Sequence, residues 1–175
     1  MTHRIPTWTL VALGLALNIL AALMTNFVID DLGEKAADIS EKQSDNGRLI
    51  ALSWQQIDGL ERRREAIITT LSIYDAKDQK LPVAVSDALL ANLKGGDKVQ
   101  LPDTLSFSSL EGVMAAINHE QAFLRDRINQ LYATNLDEGD AQKSVSREIN
   151  LYRNLALFIQ ILGLGLIMAK DLSRR

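Results

Sequence analysis

The chain contains no cysteine and only two histidines, His3 and His119. The first absence excludes disulfides and thiolate metal sites and leaves the redox compartment open. The second leaves too few imidazoles for a histidine-based metal centre. His119-Glu120 has no second histidine at i+4, no thiolate and no further acidic ligand at useful spacing, so it reads as an ordinary surface pair. No glycine-rich phosphate loop, nucleophile elbow or paired-carboxylate signature is present either. These gaps point to a protein that is not an enzyme and carries no cofactor or metal. The net charge is −3, with the excess acid in the middle of the chain, which argues against nucleic acid as a partner.

Charge is also missing from two long runs. Residues 8–29 contain none, and neither do residues 154–169. A bilayer core needs roughly 20 apolar residues in helical form. The first run meets that alone. The second is short, but Arg153 and Lys170 flank it and can snorkel to the interfaces, and Trp8 and Tyr152 suit the interfacial belt. A cleavable signal peptide would carry a shorter apolar run followed by a small-x-small site, which this sequence lacks. Both runs are therefore expected to be transmembrane helices, at 8–29 and 154–170, with the lipid bilayer as a partner. His3 and Arg4 precede the first, Lys170, Arg174 and Arg175 follow the second, and Asp30, Asp31, Glu34, Asp38 and Glu41 lie just past the first. The positive-inside rule then places the tails, 1–7 and 171–175, in the cytoplasm and residues 30–153 outside it, in the periplasm of a bacterial inner membrane.

The middle segment has its own periodicity. Leu32, Ala36, Ile39, Gln43, Asn46, Ile50, Ser53, Ile57, Leu60, Arg64, Ile67, Leu71 and Tyr74 recur at alternating steps of four and three, which is a heptad seam. The seam keeps phase through Ser44-Asp45-Asn46-Gly47, which otherwise reads as a turn. Pro82 suits the first position of a short helix, and Gly95-Gly96 its end. Ser108 with Glu111 reads as a capping box. Behind it Phe107, Leu110, Met114, Ile117, Gln121, Leu124, Ile128 and Leu131 form a second stripe. Asn135 to Asp140 reads as an interruption at the same height as Asp45–Gly47, so the two suggest a shared hinge. A last helix is expected from Ala141 into the second span.

The rising helix at residues 30–76 would measure ~70 Å at 1.5 Å per residue, and the descending pieces match it. The expected fold is all-α: two transmembrane helices extended by an antiparallel helical-hairpin, coiled-coil-like stalk, with its tip at about 77–104.

Two sites follow from this layout. At matching depths in antiparallel spans, Gly14, Asn18 and Ala22 on one helical face meet Ala156, Gln160 and Gly163 on the other. Small residues let backbones approach, and an Asn18–Gln160 hydrogen bond is expected to join the spans. In the stalk, Arg64 of Arg62-Arg63-Arg64 occupies a seam position. It is expected to pair with Glu120 or Gln121 in a polar layer that fixes register, with an anion site as the other reading. Leu49, Leu52, Trp54, Ile68, Ile73, Val113 and Phe123 lie off the seam and cannot all face one hairpin partner. Trp54 in particular marks an interface with another membrane protein or a second copy.

The reading that fits best is a non-enzymatic, membrane-anchored accessory or scaffold subunit that docks on a partner membrane complex or self-assembles through its stalk. The order span, helical segment, span resembles the input half of chemoreceptors and sensor kinases in layout alone. That resemblance implies an extracytoplasmic sensor, and the few residues after Lys170 would oblige it to signal through a partner. A membrane-disrupting effector of a conflict system is a further alternative.

Overall fold

The computed structural model describes residues 7–91, 93 and 102–172 of the 175. Every regular element among them is helical: α1 (Thr7–Leu23), a π-helical segment (Met24–Ile29), α2 (Asp30–Ala76), α3 (Val83–Ala91) and α4 (Phe107–Leu172). Most of both tails and Gly95-Gly96 lie outside the described residues. Two helical stretches, one starting at Trp8 and one ending at Ala169, are long and apolar enough to cross a membrane, and they fit a membrane protein with two spans. Only 11% of each apolar window is buried, whereas the core helix of a soluble protein would bury most of its own.

The π-helical segment reconciles two stripes that are out of step. Gly14, Ala21 and Val28, spaced by seven, are buried or half-buried. So are Ala36, Gln43, Ile50, Ile57, Arg64 and Leu71, again spaced by seven. The interval from Val28 to Ala36 is eight. A π turn closes i→i+5 hydrogen bonds and so absorbs the one extra residue. The Thr25 hydroxyl, 3.0 Å from the Ala21 carbonyl, donates to it and satisfies an oxygen where the ladder changes.

In α2 every one of the thirteen seam residues from Leu32 to Tyr74 is buried or half-buried. Ser44-Asp45-Asn46-Gly47 does not interrupt the helix. One glycine in a helix interior costs about 1 kcal/mol, which the packing of the seam outweighs. The helix stops with a Schellman motif: Gln79 N–H donates to the Tyr74 carbonyl at 2.9 Å and Asp78 N–H to that of Asp75 at 2.9 Å. Asp78 takes the left-handed conformation, φ 52°, which aspartate tolerates because its short side chain can bond locally. Pro82 precedes α3, and its carbonyl accepts from Val85 and Ser86 N–H, each at 3.0 Å.

α4 departs from expectation in three places. It starts at Phe107, and its cap is Ser106 with Ser109 rather than Ser108 with Glu111. Ser106 N–H donates to Ser109 Oγ at 2.9 Å and Ser109 N–H to Ser106 Oγ at 3.3 Å, so a hydroxyl takes the part that glutamate plays in the usual capping box. Phe107 itself is exposed, because it lies in that first turn. Finally, α4 runs unbroken through residues 135–140. The Asp137-Glu138-Gly139 cluster costs little in a helix whose turns are otherwise good formers. Asp140 also gains an i,i+3 partner in Lys143 at 2.9 Å, whose hydrogen bond holds the Asp140 carboxyl below its usual range. Lys35 is likewise held above its usual range by its hydrogen bond to Asp31. Both pairs are solvent-exposed and add little to stability.

The chain divides into two compact units, residues 1–44 with 136–175 and residues 45–135. α2 and α4 contribute to both. Unit 45–135 holds a filled apolar core: Ile50, Ile57, Leu60, Ile67 and Leu71 of α2, Leu90 and Leu93 at α3, Leu105, and Val113, Ile117, Leu124 and Ile128 of α4. Val113, expected off the seam, has no exposure at all. It shares this cluster with Leu90 and Leu93, a wall that a two-helix seam does not have. Leu105 N–H donates to the buried Ser86 hydroxyl at 2.7 Å, tying the chain before α4 to α3.

Candidate functional site

In the unit that holds both apolar helices, Gly14 and Gly163 bring two backbones together. A Cβ built on Gly14 would sit 2.5 Å from the Gly163 carbonyl oxygen and 2.7 Å from Ile167 Cγ1. One built on Gly163 would sit 2.7 Å from the Gly14 carbonyl oxygen and 3.0 Å from Asn18 Nδ2. Real Cβ atoms are not found that close, so hydrogen is the only side chain that both positions accept. Gly33, Gly47, Gly59, Gly112 and Gly165 meet nothing within 4 Å, which sets the pair apart as the packing glycines.

The other expected members of this contact divide. Ala156 is buried and Asn18 half-buried. Asn18 Nδ2 donates to the Gly14 carbonyl one turn back, at 3.0 Å, and the amide lies against Gly163. Ala22 and Gln160 are exposed, whereas their neighbours Ala21, with 4% exposure, and Ile159, half-buried, are covered. Gly14, Asn18 and Ala22 advance by four residues and so drift about 80° round the helix, whereas Gly14 and Ala21, seven apart, differ by only about 20° and both are buried. No Asn18–Gln160 hydrogen bond forms: Asn18 donates within its own helix, and Gln160 lies on the flank of the contact.

In unit 45–135 the seam carries a polar layer. Gln121, with 4% exposure, donates from Nε2 to Glu61 Oε1 at 2.8 Å. Arg64 donates from Nη1 to both Glu61 oxygens, each at 3.1 Å, and from Nη2 to Asn118 Oδ1. Arg64 and Gln121 thus meet through Glu61, which the heptad pattern does not place at the seam; Glu61 stands three residues from Arg64 and so lies on the same face. The arrangement pairs the one cation of the seam with a carboxylate and engages both of its Nη atoms. At the end of this unit Asn46 Nδ2 donates to Asn135 Oδ1 at 2.9 Å.

Glu61→Ala is expected to cost about 1–3 kcal/mol of stability, because it strands the half-buried Arg64 charge and the buried Gln121 amide together. Denaturant unfolding of the full chain in detergent measures it. A double-mutant cycle of Glu61→Ala with Gln121→Ala should return a coupling of at least about 0.5 kcal/mol; strictly additive losses would mean the amide gains nothing from the carboxylate.

Trp54 is 46% exposed, and it stands in company: Leu49, Leu52, Ile68, Ile73 and Phe123 of the same unit are exposed as well. A cleft of about 330 Å³ near the end of α2 is lined by Leu71, Tyr74, Lys80 and Leu105 among others. Among the described residues no group of three His, Cys, Asp or Glu could hold a metal. In comparisons with known proteins the chain matches no family model, no curated protein and no solved structure.

Proposed function

We propose that the chain is a non-enzymatic, membrane-anchored accessory or scaffold subunit that docks on a partner membrane complex or assembles with itself. The observation that carries this reading is the set of large apolar side chains left outside the buried core. Trp54 at 46%, Leu52 at 53%, Ile73 at 49% and Phe123 at 57% exposure lie outside the buried core of unit 45–135. Exposed apolar surface of this kind marks an interface, and tryptophan is the residue most enriched among interface hot spots.

In this reading the apolar stretches are two spans of a bacterial inner membrane, both termini are cytoplasmic, and residues 30–153 form a periplasmic, antiparallel helical hairpin. What supports the antiparallel sense is the order of the contacts. Partners of rising number in α2 have falling number in α4: Asn46 with Asn135, Glu61 with Gln121, Arg64 with Asn118. What supports the orientation is the basic tails and the acidic run after the first span.

The test has two parts. Reporter fusions after Arg175 and near Gly95 should lie in opposite compartments, and the same compartment for both would remove the two-span model. Trp54→Ala should weaken assembly by about 2 kcal/mol, close to thirtyfold in affinity, while helicity stays constant. Particle size in nanodiscs and circular dichroism measure the two. An unchanged assembly would refute the interface role, and a proportional loss of helicity would place Trp54 in the fold itself.

A further inference from the structure

Gln160 lies ten residues before Lys170 and seven after Arg153. At 1.5 Å per residue these are ~15 Å and ~10 Å along the helix axis, which puts its carboxamide near the middle of a hydrocarbon layer roughly 30 Å thick. The inference therefore rests on the two-span reading above. Gln160 is the polar group at that depth that the chain leaves outside: its side chain is exposed. Asn18, the other amide at this level, is turned to the Gly14 carbonyl and packs on Gly163. Among the described residues no hydrogen bond engages the Gln160 carboxamide.

A lone carboxamide in hydrocarbon keeps two donors and an acceptor unsatisfied, which is costly because no water is present to take their place. Its best complement is a second carboxamide at equal depth, since each can then donate Nε2–H to the other's Oε1. A two-fold axis along the membrane normal supplies that complement automatically, because it carries Gln160 of one copy to the level of Gln160 of the next. The neighbours on the same flank suit such an approach. Leu157 and Leu164, three and four residues away, are 51% and 50% exposed, so the amide stands between two apolar side chains at heptad spacing. A single amide within an apolar seam is a known way to fix register and copy number in parallel helices.

We propose that Gln160 is a self-docking site: two copies associate in parallel through the Leu157–Gln160–Leu164 flank of α4, with a reciprocal Gln160–Gln160 hydrogen-bonded pair at the centre. This flank is distinct from the Gly14–Gly163 contact, so the intrachain pairing of the spans and the interchain one can coexist.

The absence of cysteine makes the test direct. The full chain is purified and placed in phosphatidylcholine vesicles as single-cysteine variants, then oxidised. Gln160→Cys should give a disulfide-linked band of twice the chain mass at least fivefold more than Leu162→Cys, which lies two residues on and about 200° round the helix. Gln160→Leu should raise the dissociation constant read by energy transfer between labelled copies about eightfold, as expected when both interhelical hydrogen bonds of the pair are lost, and Gln160→Asn should retain association better than Gln160→Leu. Equal cross-linking at positions 160 and 162 would overturn the proposal. So would an intrachain disulfide in the Asn18→Cys, Gln160→Cys double variant formed at the expense of the dimer, since Gln160 would then face inward. Resistance of the protein to alkaline extraction is read separately. If the chain is extracted, the two-span reading itself fails; if it is retained but does not cross-link at 160, only the self-docking fails.

Discussion

Gly14→Ala should loosen the pairing of the two apolar helices by about 1–3 kcal/mol, the usual cost of overpacking, while Gly59→Ala should stabilise its helix by about 0.4–1 kcal/mol. The substitution is the same in both cases and the sign is opposite. At Gly14 the added methyl would meet the Gly163 carbonyl oxygen at 2.5 Å, and a backbone oxygen in a neighbouring helix cannot swing aside as the end of a side chain can. At Gly59 the methyl meets nothing within 4 Å, and no described glycine has a positive φ that alanine would resent. Alanine there only lowers the conformational entropy of the unfolded chain. Denaturation in mixed micelles with a fluorescent pair on the two apolar helices reports the first change, and thermal loss of helicity the second. A neutral Gly14→Ala would mean that the helices separate by several tenths of an ångström at little cost, and the glycine contact would lose its importance.

A second large effect is expected in the other unit. Ile67→Ala should cost about 2–5 kcal/mol, the range for deleting a buried isoleucine side chain and leaving a cavity, because Ile67 is only 1% exposed within the apolar core. Ile68, its neighbour, is 42% exposed, and Ile68→Ala should change the stability of the isolated chain by less than about 0.5 kcal/mol. Chemical denaturation of the full chain compares them. The pair also separates folding from assembly. If the exposed apolar side chains form an interface, Ile68→Ala should weaken assembly while leaving the unfolding midpoint of the lone chain in place. Equal losses for the two isoleucines would show that the seam assignment is off by one residue.

Much of the fold is legible in the amino-acid sequence, for identifiable reasons. Charge-free runs mark the two long apolar helices because burying a charge is expensive and nothing else in the chain keeps charges out for so long. The seam from Leu32 to Tyr74 is visible because a seven-residue period leaves one face apolar whatever lies opposite. Gly14 and Gly163 stand out as small residues at equal depth. What escapes the sequence clusters where a local rule depends on its surroundings. Steps of four residues drift about 40° each in an α-helix, so the ridge Gly14–Asn18–Ala22 leaves the contact by its third member while the seven-residue step to Ala21 stays on it. Gln160 is likewise four residues on from Ala156 and drifts outward. A π turn has no composition signature that would warn against it; the only trace is the eight-residue step from Val28 to Ala36. Ser106 and Ser109 do not resemble a capping box because the usual pattern ends in Glu or Gln, though a serine hydroxyl accepts the same N–H. Val113 looks off-seam because α3 adds a second wall to the core, and a short helix beyond the seam leaves no period in the sequence of α4. Glu61 looks like a solvated carboxylate beside a seam, and the Arg64 guanidinium together with the buried Gln121 amide makes its inward turn worthwhile.

The glycine contact bears on permeability. Two helices whose backbones touch leave no channel between them: the space that ions or water would need is taken up by the Gly14 and Gly163 main chains. A bilayer crossed by one such pair should be as electrically tight as a bare one. Any leak through this protein would therefore require several copies arranged around a common axis, so conductance would rise with a power of protein density rather than in proportion to it.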